Sequence, residues 1–428
     1  MSLADFASSS AATVFYVVFL FAVAVYAALH LWLARRQTAH VLAHRGAVPE
    51  QFSGRISLEA HQKAADYTVA KTRLGDWELA VHLALLFALT YGGGLAALSG
   101  FWQAMELPGV WTGVALVSSV MLISSLVDLP LSWIRQFVVE ERFGFNRMTQ
   151  MLFFADLAKG ALLSAVIGVP VLFVVLRLVG SMGDRWWLWA WEFWVALNLL
   201  IFFVYPTWIA PIFNKFTPLE EGEIRSRVEA LLERCGFRSG GLFVMDGSKR
   251  SAHGNAYFTG LGRNKRIVFF DTLFSRLKPK EIEAVMAHEL GHFRYHHVLR
   301  RMALMFALAL VFFALLDTLL HAPWFFAGLG VSPERAGEPA LAFILFFLAL
   351  PVLLFPAMPL FNQLSRRDEF EADRYAAQQV SAEDLAQALV ALYEDNAATL
   401  TPDPGYSRFY DSHPPAAIRI AHLMAARA

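Results

Sequence analysis

The residues best suited to chemistry are His288, Glu289 and His292, in the run His288-Glu289-Leu290-Gly291-His292. Pro279 suits the first helical position, Glu281 suits the positive end of the helix dipole, and Ile282, Val285, Met286, Leu290 and Phe293 recur at helical spacing. A helix is therefore predicted here, with both histidines on one face, one turn apart. That spacing lets two imidazoles hold one zinc ion, with the intervening glutamate close enough to act as a base toward water. Two histidines leave a catalytic zinc one protein ligand short. The only cysteine, Cys235, rules out a thiolate set or a disulfide within one chain, so the missing ligand has to be another histidine or a carboxylate.

Ser365-Arg366-Arg367-Asp368-Glu369-Phe370-Glu371-Ala372-Asp373 offers that carboxylate on a helix-compatible run. Glu369 and Asp373 are four apart and share a face, whereas Glu371 points away. Glu369 is read as the third ligand, and Asp373 as a residue behind the metal that orients a ligand histidine. A solvated charged helix at the membrane surface would explain the same run if His288 and His292 were not there. His296 and His297 compete as ligands. An extended three-histidine motif would need glycine at position 295 and histidine at position 298, where the chain has Tyr295 and Val298. Both are read as surface residues or as residues behind the ligands.

The elements that must position these groups are set by composition. Of 428 residues, 57% are hydrophobic and 17% charged, against about a quarter charged in soluble domains. A membrane protein is expected, and a formal net charge of zero gives no case for nucleic acid as a partner. Seven stretches can cross a bilayer as helices: 11–34, 79–99, 111–134, 152–179, 186–204, 302–320 and 339–361. No basic residue precedes the first, which is expected to stay as a span and not to be cleaved as a signal peptide. Arg35, Arg36, Arg45, Arg55, Lys63, Lys71 and Arg73 follow the first span, and Arg135, Arg142 and Arg147 follow the third, which places those loops in the cytoplasm. An outside N-terminus and a cytoplasmic C-terminus result.

The segment from about 205 to 300 then falls on the cytoplasmic side. Its short apolar runs Leu242–Met245, Ala256–Thr259 and Ile267–Phe270, the last two separated by Gly260, Gly262 and Asn264, predict a small sheet with a hairpin. Lys278, Lys280, Glu281, Arg294, Arg300 and Arg301 keep the histidine helix at or outside the membrane boundary, since charge is costly at the bilayer centre. The expected fold is mainly α, a seven-span transmembrane helical protein with a cytoplasmic zinc-metalloprotease domain containing a small β-sheet. Its expected organisation is 1–218 for spans one to five, 219–301 for the catalytic segment, 302–361 for spans six and seven, and 362–428 for the segment supplying the third ligand.

Further motifs run in order along the chain: Val48-Pro49, Ile56–Tyr67, Phe137–Asn146, Pro211–Leu219, Asp246–Phe258, and Ser412-His413-Pro414-Pro415. With the histidine motif, they resemble the type I CAAX prenyl endopeptidases, seven-span zinc proteases that process prenylated proteins, and their bacterial relatives. The resemblance implies that one zinc ion is bound by His288, His292 and Glu369, with Glu289 as catalytic base. It further implies that Asn255 and His413 contact the substrate backbone or the developing oxyanion, with Arg419 nearby. Asn255-Ala256-Tyr257-Phe258 is then an edge strand to which an extended peptide adds through backbone pairing; the competing reading is an ordinary core hairpin. The spans are expected to enclose a water-filled chamber, and Asp128, Asp156, Glu192 and Asp317, in or near them, agree with one.

The expected partners are a peptide or protein substrate, prenylated at its C-terminus in the family's manner, and the lipid bilayer. The chain stops at Met424-Ala425-Ala426-Arg427-Ala428 without the retention-like signal of some eukaryotic members. That favours a bacterial inner membrane over the endoplasmic reticulum, a setting in which prenylated proteins are not the physiological substrate. Two other functions fit part of the sequence. A membrane-protein quality-control protease shares every catalytic residue. A metal-regulated transporter or channel explains the spans and leaves the paired zinc motifs without a purpose, and no internal repeat supports it.

Overall fold

Lipid offers no partner to a free backbone group, so apolar stretches of this length must be helical. The computed structural model, which describes residues 3–259 and 266–425, has them so. Helix α1 (Leu3–Ala43) contains the first span and runs on past it. The stretch expected as one span at 79–99 is a broken one: α2 (Leu58–Leu89) and α3 (Gly94–Ala104) meet at a 53° bend. The cause lies in Gly92-Gly93-Gly94. Gly93 has φ +77°, and a Cβ on Gly92 or Gly94 would sit 2.8 or 2.7 Å from the Ala88 carbonyl oxygen, so the chain folds back on itself where only glycine fits.

The remaining spans are α4 (Trp111–Ile134) with a π-helical turn through Glu140, α5 (Gln150–Ser181), α6 (Trp186–Val204) leading into α7 (Ala210–Phe213), α10 (His297–Leu320), and α12 (Pro339–Leu354) running into α13 (Met358–Gln379). Among the described residues, six helical runs and the bent pair are thus long and apolar enough to cross, matching the seven stretches expected. Their common core buries Phe19, Leu95, Phe326 and Leu341 completely. The seventh does not end at 361. After one tight turn at Phe355–Ala357 it continues as α13, so the helix bearing Glu369 and Asp373 is an extension of a membrane span.

Between the fifth and sixth spans lie β1 (Phe216–Pro218), α8 (Glu223–Arg234), β2 (Leu242–Met245), β3 (Ala256–Thr259), β4 (Arg266–Phe270) and α9 (Pro279–Arg294). The sheet order is β1-β2-β4-β3, with β2 parallel to β4 and the other pairs antiparallel. The expected hairpin pairing is present, Ala256 opposite Phe269, and its turn at Gly260, Gly262 and Asn264 lies outside the described residues. β1 lies on the membrane side of the boundary expected at 218–219 and is too short to give a periodic signal. Val228, Leu231, Ile267, Phe269, Ile282 and Met286, all fully buried, glue α8 and α9 to the sheet. β3 stands at its edge. Helices α11 (Pro323–Gly328), α14 (Ala382–Asp395), α15 (Pro404–Tyr410) and α16 (Ala416–Ala425) complete the described chain.

Candidate active site

Helix α9 begins as its sequence dictates: Pro279 follows the cap, and the Glu281 carboxylate accepts a 2.8 Å hydrogen bond from the Lys278 backbone N–H. It packs on α13 closely enough that a Cβ on Gly291 would lie 2.8 Å from the Ala372 Cα. This close approach brings two i, i+4 pairs face to face: His288 and His292 from α9, Glu369 and Asp373 from α13.

The Nε2 atoms of His288 and His292 stand 3.2 Å apart, and each lies 3.4 Å from an oxygen of Glu369. Atoms about 3.3 Å apart are what a tetrahedral ion with ligands at about 2.0–2.1 Å requires. The donor set, two nitrogens and one carboxylate, is that of a catalytic zinc site. Glu369 is 2% exposed, and its Oε2 has no hydrogen-bond partner among the described residues, although Arg419 Nη1 lies 3.4 Å away. A cation between the three groups answers both observations. The outer nitrogens are held as well. His288 Nδ1 lies 2.9 Å from Asp373 Oδ1, and Asp373 is gripped by Arg419 through bonds of 2.6 and 2.9 Å. Burial and Arg419 press His288 toward neutrality, but hydrogen bonds to Asp373 and Glu369 outweigh them and hold its pKa up at about 9: the carboxylates favour positive charge at this point.

Glu289 lines the same cavity of about 560 Å³. Burial raises its carboxyl above the usual carboxylate range, against the pull of His288 and His292, the direction that a proton acceptor working near neutral pH would need. His413, on the loop between α15 and α16, turns its Nε2 to within 3.3 Å of Glu369 Oε1, and Ser412 Oγ lies 2.9 Å from its Nδ1. A hydroxyl donating to Nδ1 leaves the ring N–H on Nε2, facing the site. Asn255 is exposed at the head of β3, and its Oδ1 accepts from the Ala256 N–H at 2.8 Å.

Not every expected residue meets the cavity through its side chain. Tyr257 points to the other side of the sheet, where its hydroxyl meets Met245 Sδ at 4.0 Å and its ring packs on Phe270, so only its backbone can reach a peptide at the β3 edge. Arg419, expected near the substrate, does line the cavity, but it is 6% exposed and its guanidinium is forked onto Asp373.

Sequence reasoning left His297 undecided and gave Glu371 no task. His297 is 1% exposed; its Nδ1 lies 2.8 Å from His292 Nδ1 and its Nε2 3.0 Å from Glu371 Oε2. His296, exposed at φ +56°, turns the chain so that His297 swings back. His297, Asp368 and Glu371 could themselves form a ligand cluster, but Arg300 and Arg301 already neutralise the two carboxylates.

Residues 37–215 match the family model described as CAAX prenyl protease N-terminal, five membrane helices, and residues 218–427 match Peptidase family M48. The CAAX prenyl protease 1 homolog of Arabidopsis thaliana is 34% identical over 87% of this chain and 89% of its own length. CAAX prenyl protease 1 of Saccharomyces cerevisiae is 37% identical over 70% of this chain and 69% of its own. The crystal structure of S. mikatae Ste24p superposes with a TM-score of 0.88 at 30% identity, covering 96% of this chain and 99% of that one.

Proposed function

The chain belongs to peptidase family M48, in the group with a CAAX prenyl protease N-terminal membrane domain, and from that premise we propose that it cleaves peptides or proteins at a C-terminal CAAX sequence, using one zinc ion held by His288, His292 and Glu369. It is a multi-pass membrane metalloendopeptidase. The observation that carries the site assignment is the convergence of His288 Nε2 and His292 Nε2, 3.2 Å apart, on the buried Glu369 carboxylate, one oxygen 3.4 Å from each.

Held by His288, His292 and Glu369, a zinc ion would supply Lewis acidity, which lowers the pKa of water toward about 7 and polarises a carbonyl. Glu289 accepts a proton as the water oxygen attacks the carbonyl carbon, then delivers it to the leaving nitrogen as the C–N bond breaks, leaving a new carboxyl end and a free amine. His413 donates its Nε2–H to the carbonyl oxygen as negative charge develops, a contact whose removal typically costs about 100- to 1000-fold in rate. Asn255 and the backbone of Ala256 and Tyr257 align the peptide along the open edge of β3. Asp373 fixes His288, and Arg419 fixes Asp373.

The spans are inferred to enclose water: His82 and Asp128 pair at 2.7 Å within them, with 51% and 47% of their side-chain surface open, an arrangement lipid would not solvate. An ion path finds less support, because Asp156 is engaged with Arg250 and Asp317 with the indole of Trp186. The basic loops support a cytoplasmic catalytic segment. For the membrane itself, the proposal from the sequence is a bacterial inner membrane; the eukaryotic origin of the relatives above weighs toward the endoplasmic reticulum, and localisation of a tagged chain separates the two.

The test is cleavage of a farnesylated CAAX peptide by purified protein, with and without a zinc chelator. Chelator-sensitive release of the last three residues is expected from the wild type and not from Glu289→Ala, which keeps its zinc, while Glu369→Ala loses zinc affinity. Zinc bound at one per chain without cleavage would move the reading to quality control of other membrane proteins.

A further inference from the structure

We propose that Lys71 receives the C-terminal carboxylate of the substrate, and so sets the cut a fixed number of residues from the chain end. This rests on the CAAX reading above. Lys71 stands on α2, near the cytoplasmic end of the bent span, and lines two adjoining spaces: the active-site cavity and a neighbouring one of about 520 Å³. The two share Lys71, Ala398 and His413, so Lys71 and the candidate oxyanion donor both stand where the spaces meet.

Lys71 is an exposed residue that lines this space, and its ammonium rests 4.1 Å from the centre of the Tyr67 ring. Among the described residues it makes no ion pair. Glu140, the carboxylate whose field reaches it, is already taken up by the Tyr67 hydroxyl at 2.5 Å and by His253 Nε2 at 3.5 Å. An ammonium held on an aromatic face at a cavity wall, making no ion pair and with Glu140 engaged elsewhere, is set to take an anion from outside, although Asp411 also lines the neighbouring space.

The direction of the bound peptide supplies that anion. A peptide that pairs with the open edge of β3 antiparallel, as β4 does on the other side, runs from the Thr259 end toward Asn255. The cavity lies at that same end: it is lined by His253, Gly254, Asn255 and Ala256, then by Tyr67 and Lys71. The part of the substrate beyond the scissile bond therefore heads for Lys71. Three extended residues cover about 10 Å, a distance that a negative charge at the chain end can mark and a side-chain preference cannot. Backbone pairing at β3 tolerates varied sequence, so a charge contact at the end gives the enzyme its measure.

Two farnesylated peptides of one sequence, differing only in a free or an amidated C-terminus, test the idea. Wild type is expected to favour the free acid by about 10- to 100-fold in kcat/KM, chiefly through KM, as a charge-assisted contact made equally before and during reaction would give. Lys71→Met should collapse that preference to about one, and Lys71→Arg should keep most of it. Inhibition of wild type by the released tripeptide, as acid against amide, reads the same contact without any variant, and the acid should bind at least about tenfold tighter. Equal cleavage and equal inhibition by acid and amide overturn the proposal, as does a Lys71→Met protein that keeps the preference. If zinc-loaded wild type cuts neither peptide, the CAAX reading itself has failed and Lys71 loses this role with it; cleavage of both at equal rates rejects Lys71 alone.

Discussion

Each imidazole that faces the cavity through Nε2 is held from behind through Nδ1, His288 by Asp373 and His292 by His297, which in turn leans on Glu371 and, through it, on Arg300. A ligand ring free to rotate spends less time aimed at its metal, and loss of such an outer partner typically costs about 10- to 100-fold in affinity. His297→Ala is therefore expected to weaken zinc binding by that factor, read by competition with a chelator, while His297→Gln, which can still bond His292 Nδ1, should recover part of it; unchanged affinity in the alanine protein would make His297 a packing residue. At this scale the sequence was informative wherever spacing stayed inside one helix. His288 with His292 and Glu369 with Asp373 are i, i+4 pairs, and helical geometry alone puts each on one face. His297 was not legible in the same way, because its return to His292 depends on the left-handed turn at His296, and no periodicity encodes that.

Two helices carry all three candidate ligands, so the distance between α9 and α13 sets the geometry of the site. Gly291 and Ala372 are where they touch. In an open helix, replacing glycine by alanine stabilises by about 0.5–1 kcal/mol. Here the added Cβ would fall 2.8 Å from one backbone atom of α13 and 3.0 Å from another, and backbone cannot step aside as a flexible side chain does. Overpacking costs about 1–3 kcal/mol and should win. Gly291→Ala is expected to lower the unfolding temperature and, by parting the helices, to weaken zinc binding, whereas Gly160→Ala in α5, where nothing lies within 4 Å, should do neither. Equal behaviour of the two proteins would remove the contact from the account. The motif displayed Gly291 without its reason, since the reason is a neighbour some 80 residues on. Hydropathy likewise marked a span at 79–99 and could not see its break, because three glycines in a row change backbone direction without changing polarity.

On the scale of the whole chain, the membrane half and the protease half are tied at points far apart in sequence, and these were not legible beforehand. Asp403 is the clearest. Its carboxylate accepts from Arg36 Nε at 3.2 Å and Nη2 at 3.0 Å across 367 positions, and caps α15 by accepting from the Tyr406 N–H at 2.8 Å, while its own N–H donates to Gln37 Oε1 at 2.7 Å. The first span thereby holds α15, and α15 leads directly to Ser412 and His413 over the cavity. Burial works against the Asp403 charge, but Arg36 and the Tyr406 and Gly405 N–H groups outweigh it and hold the carboxyl below the usual carboxylate range. A carboxyl whose pKa is lower in the folded protein than in the unfolded chain contributes stability that is complete above the unfolded value of about 3.9 and is lost as pH falls through the folded value. Asp403→Asn keeps the shape and gives up the charge. At pH 7 it is expected to be less stable than wild type by about 1–3 kcal/mol. The gap should begin to narrow as pH drops below about 4, where the carboxyl of the unfolded chain takes up its proton, and close as pH falls through the lower folded value. Thermal unfolding in detergent from pH 7 down to pH 3 measures it: a gap that narrows on acidification supports a charge tie between the two halves, and one that stays constant with pH assigns the loss to packing around α15 instead.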